Sequence, residues 1–336
     1  MKSKVAYATL PHVAEFIEWL AGELESPALI KHAYIDRRSG MIWSCDSLYG
    51  AYQAYAWNHP GNTRLGFAPG VCSASNAKAL DALRDDLLAA GSDDALMLQA
   101  ALDVMAWGGV TARNAEWLKA NEAGLARMLL EVKAALINQD PAAPVLCSKA
   151  LRFNSGMTKI YSLICPDFVI YDSRVAAALG LLVVKYCQAK GLGKVPAALD
   201  FPWAAAKESD SSLAPKRRNP SIGSLHFKRL RSGAHHARWN INASFVLAQV
   251  AAHPLTAASR FRQGATPAQT LRALEQALFM IGYDLGAEPA ECGEEYSPEL
   301  VQMIAEAEAG AGEWHEVDAD DLIAQLDEML AKARKR

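Results

Sequence analysis

Residues 155–179 read SGMTKIYSLICPDFVIYDSRVAAAL, and this stretch decides the reading of the whole chain. Gly156 supplies a turn, Lys159 stands at the start of an apolar segment over 158–165, and Pro166 ends that segment. Proline cannot continue a helix and pushes the residue before it out of helical space. Asp172 then precedes a second apolar run, so the spacing predicts a helix over 158–165 and another over 173–190, with Asp172 as N-cap of the latter. A capping carboxylate accepts backbone N–H bonds and stabilises by about 1 kcal/mol. A cation in a first helical turn, where Lys159 falls, is mildly disfavoured by the helix dipole. A cap and a surface lysine explain the two residues singly. The apolar connection PDFVIYD over 166–172 suggests instead that Asp172 is partly buried, with its carboxylate aimed into a cleft between lobes.

The same helical periodicity extends in both directions. Amphipathic spacing predicts helices over residues 13–25, 45–57, 75–90, 93–107, 112–118, 122–137 and 145–153, and again over 239–252, 255–261, 267–281, 298–309 and 319–334. The run WNHPGNTR over 57–64 reads as an exposed turn, Gly108–Gly109 as a helix end, and 191–219 as irregular chain. No alternating strand series is long enough for a sheet, and no repeat is evident. The expected fold is all-α, a two-lobed helical bundle. NQDPAAP over 138–144 marks the expected lobe boundary, giving segments 1–140, 141–190, 191–285 and 286–336.

Composition narrows the class. Of 336 residues, 51% are hydrophobic and 21% charged, which suits a globular chain rather than a disordered one. Residues 1–20 mix Lys2, Lys4, Glu15 and Glu18 into the apolar positions, so they read as neither signal peptide nor membrane span, and a cytoplasmic protein is expected. The six cysteines form no C-x-x-C pair and the eight histidines no ligand-like spacing, so no metal site and no cofactor are expected. The net charge of −3 conceals an asymmetry: residues 216–238 carry Lys216, Arg217, Arg218, Lys228, Arg229, Arg231 and Arg238 with no acidic residue, while 288–327 are rich in Asp and Glu. Phosphate contacts act over a Debye length of roughly 8 Å, so the local basic run outweighs the total.

SGMTK followed by CPDFVIYDSRVAAAL resembles the helix-hairpin-helix DNA glycosylase superfamily, in particular its bacterial and archaeal branch similar to 8-oxoguanine DNA glycosylase. The likeness covers residues 145–179; AWGGV at 106–110, with Asn114 following, is similar to the same group. The resemblance implies that Asp172 is the catalytic aspartate that stabilises a cationic sugar, and that Lys159 is the nucleophile that attacks the anomeric carbon. The hairpin FNSGMTK lacks the usual second glycine and the interval to Asp172 is short for the family, so Lys149 stands as the alternative lysine. Hairpin backbone at Asn154, Ser155 and Gly156 would bind phosphate, assisted by Arg217, Arg218, Lys228, Arg229 and Arg231.

Extruding a base from a duplex calls for a filler and stacking walls. Asn58, His59, Asn62 and Arg64 are the filler candidates, and Trp107, Tyr161, Phe168 and Trp239 the walls. The implied activity is removal of a modified base from double-stranded DNA by a monomeric enzyme, in repair or antiviral defence. The base is oxidised guanine or a bulky hypermodified pyrimidine such as a glucosylated one. The alternative is a noncatalytic helix-hairpin-helix module that only binds DNA.

Overall fold

The computed structural model describes residues 7–36, 40–110, 113–206 and 216–286. The helices expected over 298–309 and 319–334 lie outside the described residues, as does the acidic stretch. Eleven α-helices are formed among the described residues: α1 Val13–Glu23, α2 Leu48–Gln53, α3 Ser73–Ala89, α4 Asp94–Trp107, α5 Arg113–Ala120, α6 Leu125–Ile137, α7 Pro144–Cys147, α8 Thr158–Ile164, α9 Ser173–Ala189, α10 Ala234–Ala252 and α11 Pro267–Ile281. The protein is mostly helical.

Four stretches differ from the sequence expectation. A two-stranded antiparallel ribbon, β1 His32–Ile35 and β2 Ile42–Cys45, pairs Tyr34 with Trp43 and Ile35 with Ile42. Its aromatic pair stacks at 4.8 Å, and Tyr34 also stacks on Tyr283 at 4.7 Å, so a long-range contact holds strands where the local sequence shows no strand series. The helix expected over 45–57 is thereby cut to α2, whose N-cap Ser47 Oγ accepts from Gly50 N at 3.0 Å. The helix expected over 145–153 is only α7, because Ser148 Oγ accepts from Ala150 N and competes with helix continuation. The helix expected over 255–261 is a 3-10 turn, Pro254–Ala258.

Two hydrophobic clusters form the interior. One joins α1, α2, α9, most of α10 and α11; the other joins α3, α4, α6, α7 and α8, with Leu118 of α5 and with Ala237 and Ile241 of α10. The break expected at 138–144 falls inside the second cluster, which includes Leu136, Ala143 and Leu146. The clusters part instead along residues 168–171. Phe168 and Ile170 belong to one core, Val169 and Tyr171 to the other. An extended chain alternates its side chains, so four residues can serve both cores at once.

That segment has no strand partner among the described residues, and side chains bond four of its backbone groups instead. Ser244 Oγ accepts from Val169 N at 3.1 Å, Asn240 Nδ2 donates to the Val169 carbonyl at 2.9 Å, and Glu275 Oε2 accepts from Ile170 N at 3.2 Å. His236 Nε2–H donates to the Tyr171 carbonyl at 2.8 Å. His236, Asn240 and Ser244 recur at four-residue spacing, so one face of α10 supplies three of these partners. Asn240→Leu, of similar volume, leaves the Val169 carbonyl without its donor and should lower stability by about 1–3 kcal/mol. Urea denaturation checks this; an unchanged midpoint would show that the carbonyl finds another donor.

Candidate functional site

Immediately after the seam, Asp172 caps α9 as the sequence suggests: its Oδ1 accepts from Arg174 N at 2.9 Å and Val175 N at 3.0 Å. Asp172 lines a cavity of about 170 Å³ together with Lys159, Arg174, Arg272, Glu275 and the rings of Tyr55, Trp57, Trp107 and Phe279. Lining residues come from both hydrophobic clusters, for instance Ile170 and Trp107 from one and Val175 from the other. Lys159 of α8 and Asp172 therefore share one site.

Each wall has a local cause. Asn76 of α3 is fully buried; its Oδ1 accepts from Trp107 Nε1 at 3.2 Å, and its Nδ2 donates to the Trp57 carbonyl at 3.0 Å. Trp57 Nε1 in turn donates to the Trp107 carbonyl at 3.3 Å, which locks the two indole residues together. Gly108 ends α4 against the Lys159 side chain, and a Cβ there would overlap the lysine stem. Gly109 supplies the left-handed backbone, φ +57°, that turns the chain away. The two glycines of AWGGV thus have separate uses.

The polar lining brings carboxyls and cations together. Glu275 is buried; its Oε2 accepts from Ile170 N at 3.2 Å and from Arg272 Nη1 at 2.8 Å. Burial pushes the Glu275 carboxyl above the ordinary carboxylate range, against the pull of the Arg272 guanidinium. Arg174 lies over the Phe279 ring at 4.1 Å and the Tyr283 ring at 4.8 Å. Such a site offers an aromatic-walled slot and an Asp carboxylate. It adds a lysine and a second carboxyl able to meet a hydrogen-bonding edge.

Other residues singled out from the sequence are placed differently. Lys149 is exposed and does not line the cavity. The hairpin turns inward: Asn154 Oδ1 accepts from Gly156 N at 3.0 Å and Met157 N at 3.1 Å, and Gly156 is pressed against Asn114. The Gly156 amide is thus used inside the fold rather than offered to phosphate; Ser155 beside it is half-buried. Arg218 is buried, its guanidinium donating to the Tyr283 carbonyl at 2.8 Å and to Ser173 Oγ at 2.7 Å, so it ties the start of α9 to the end of α11 instead of meeting DNA. Arg217 donates to the carbonyls of Asn219 and Ser221. Lys228 pairs with Asp200 at 3.1 Å but is 81% exposed, Arg229 covers the Trp203 ring at 4.5 Å, and Arg229 and Arg231 are exposed.

Among the aromatic candidates only Trp107 lines the cavity. Tyr161 and Phe168 are core residues, Tyr161 being held through its hydroxyl on the Arg152 carbonyl at 2.9 Å. Trp239 lines a separate cleft of about 820 Å³ with His12, Lys194 and Arg238. In the 57–64 turn, which closes as a loop through bridges from His59 to Gly70 and from Asn62 to Phe67, His59 is buried and Asn62 Oδ1 accepts from Leu65 N. Arg64 is held by Asp86 and Asp103. Asn58 remains exposed. The sequence reading missed Trp57, Asn76, Arg174, Arg272, Glu275 and Phe279. Glu275 left a trace, a carboxylate on the apolar stripe of α11 between Leu271 and Leu278.

Among the described residues no group of His, Cys, Asp and Glu could hold a metal ion, and no helix is long and apolar enough to cross a membrane. Comparison of the chain with protein-family models, curated proteins and solved structures finds no match.

His236, which anchors the seam behind Asp172, carries a pH signature. Burial drives its imidazole from 6.5 down to about 4, so the folded state holds it neutral while the unfolded chain takes up a proton. Its contribution to stability is present above about pH 6.5 and is lost as pH falls toward about 4, with a slope of up to about 1.4 kcal/mol per pH unit. His236→Gln should flatten the stability profile in that window relative to the wild type, as read by urea midpoints at stepped pH; parallel profiles would contradict it.

Proposed function

We propose that the protein is a DNA glycosylase that extrudes a modified base from a duplex and cleaves its N-glycosidic bond. Its described helices would then form a two-lobed core of helix-hairpin-helix type. The observation that carries this reading is the meeting of Lys159 and Asp172 in one aromatic-walled cavity of about 170 Å³ between the two cores. The resemblance of residues 145–179 to helix-hairpin-helix glycosylases supports it. The exposed cations Lys228, Arg229 and Arg231 give the duplex a basic approach, and Gly233 N, bonded to the Phe153 carbonyl at 2.8 Å, ties that loop to the hairpin.

In this mechanism the base stacks between the rings of the cavity, with Glu275 Oε1 toward its hydrogen-bonding edge. The Asp172 carboxylate stabilises the cationic sugar as the C1′–N bond breaks and its electron pair leaves with the base, which takes up a proton. The Lys159 amine, once deprotonated, forms a bond to C1′; ring opening gives a Schiff base, from which elimination of the 3′ phosphate cuts the strand. Where Lys159 does not attack, water does, and an abasic site is left. The cavity holds the ring of oxidised guanine or of a pyrimidine; a hexose on a hypermodified pyrimidine has to extend out of it. The purely DNA-binding alternative is the weaker reading, because binding phosphate does not call for a lysine and a carboxylate gathered in one aromatic-walled cavity.

Asp172→Asn preserves the cap geometry and should leave the urea midpoint nearly unchanged, yet slow base release by about two or more orders of magnitude. Borohydride should trap a covalent adduct with damaged duplex in the wild type and not in Lys159→Gln. Trapping that persists in Lys159→Gln and vanishes in Lys149→Gln moves the nucleophile to Lys149. Full activity of Asp172→Asn would end the glycosylase assignment of this cavity.

A further inference from the structure

Arg238, Ile241, Asn242 and Phe245 recur at helical spacing on the side of α10 away from His236, Asn240 and Ser244, and they line the second cleft, of about 820 Å³. That volume lies in the range of about 300–1,000 Å³ usual for small-molecule sites. Rings of Trp239, Phe245 and Tyr7 stand in its wall. The Tyr7 ring is edge-on to Phe245 at 5.7 Å and its hydroxyl donates to the Ala198 carbonyl at 2.8 Å, which ties the loop over 191–198 to the residues before α1. Lys194 and Arg238 belong to the lining and are exposed, whereas no Asp or Glu among the described residues lines the cleft. Carboxylates close by in sequence have other partners. Glu15, 3.3 Å from His12 Nδ1, is bound by Lys190 at 3.0 Å and the Tyr186 hydroxyl at 2.7 Å, and Asp140 Oδ1 accepts from Ala142 N at 3.0 Å.

Backbone conformation singles out the same cleft. Three non-glycine residues among those described hold left-handed backbone, and two of them, His12 at φ 65° and Gln139 at φ 51°, stand in this lining. Gln139 follows α6, where bonds from Gln139 N to the Leu136 carbonyl and from Asp140 N to the Ala135 carbonyl close a turn that ordinarily takes glycine. A glycine there would relieve the strain; glutamine keeps an amide in the lining. His12 is the N-cap of α1, yet its side chain makes no cap bond and its backbone is not the extended one usual at that position. Strained residues that retain long polar side chains cluster at ligand sites.

We propose that this cleft binds a small organic anion, an aromatic body carrying one carboxylate, sulfonate or phosphate group. The body lies along Trp239, Tyr7 and Phe245, the acidic group meets Lys194 and Arg238, and His12 and Gln139 add hydrogen-bonding groups. Charge selects the occupant. An apolar wall alone accepts any hydrophobic molecule, whereas two cations in a lining without a carboxylate favour one that brings negative charge. The site stands apart from the Asp172 cavity: the two linings share no residue, so binding here does not depend on base excision.

The probe is 1-anilinonaphthalene-8-sulfonate, an aromatic anion whose fluorescence rises in apolar surroundings, titrated into the full chain. N-phenyl-1-naphthylamine, the same ring system without the sulfonate, is its neutral counterpart. Saturable one-to-one brightening of the anion is expected. In the double variant Lys194→Gln, Arg238→Gln its affinity should fall by about tenfold or more, while the neutral dye binds both proteins alike. Asn242→Trp fills the cleft from its α10 wall and should abolish binding of both dyes, with a thermal melt in the absence of dye certifying the fold. Should that variant fail to fold, Ala197→Trp, at an exposed lining position, takes its place. No saturable binding to the wild type, or undiminished binding in the filled variant, overturns the site. Equal affinity of the anion for the wild type and the double charge variant overturns the choice of an anion. Loss of the dye in Lys159→Gln with retention in Asn242→Trp moves it to the Asp172 cavity and likewise overturns the assignment.

Discussion

The four residues 168–171 are the constraint on which the described fold depends. Their side chains alternate between two hydrophobic cores, and their backbone crosses the interior without a strand partner among the described residues. Buried peptide groups left unpaired would each cost about 1–3 kcal/mol, so the segment is possible only because α10 and α11 carry polar side chains at the right heights. His236, Asn240, Ser244 and Glu275 are all buried and all bond to this stretch. Polar residues that look misplaced on apolar helix faces are therefore part of the architecture.

The same constraint sets the geometry of the site. Chain leaving the seam enters α9 at Asp172, so the carboxylate is fixed by the cap it makes and by the segment behind it. α11 is held close: Gly282 packs on the Arg174 backbone so tightly that a Cβ would overlap the Arg174 carbonyl, and Arg218 bridges Ser173 to Tyr283. Glu275, on α11, serves two purposes at once, anchoring Ile170 through one oxygen and presenting the other toward the cavity. Structure and candidate chemistry share these residues, so a substitution at Glu275 has to be read for stability before it is read for activity.

Much of this was legible in the sequence where the signal is local. Asp172 before an apolar helix, the helix over 267–281, and Lys159 beyond a glycine turn are all spacings within a few residues, and they stand as expected. What escaped depends on distant partners. The ribbon forms because Tyr34 meets Tyr283 across the chain, and Arg218 is buried because two acceptors, Ser173 Oγ and the Tyr283 carbonyl, wait at helix ends far away in sequence. A basic run cannot show which of its members turn inward. Likewise Trp107 and Tyr161 have equal standing as aromatics in the sequence, and only packing separates the cavity wall from the core.

The central claim, that this cavity breaks the glycosidic bond of a modified base, is tested most directly by mass spectrometry of small molecules released from a panel of modified DNAs, phage genomes with glucosylated pyrimidines and oxidised duplexes included. The account predicts one free base, or one narrow class of bases, released by the wild type and absent with Asp172→Asn. Release of no base from any DNA, or the same release from both proteins, would contradict it.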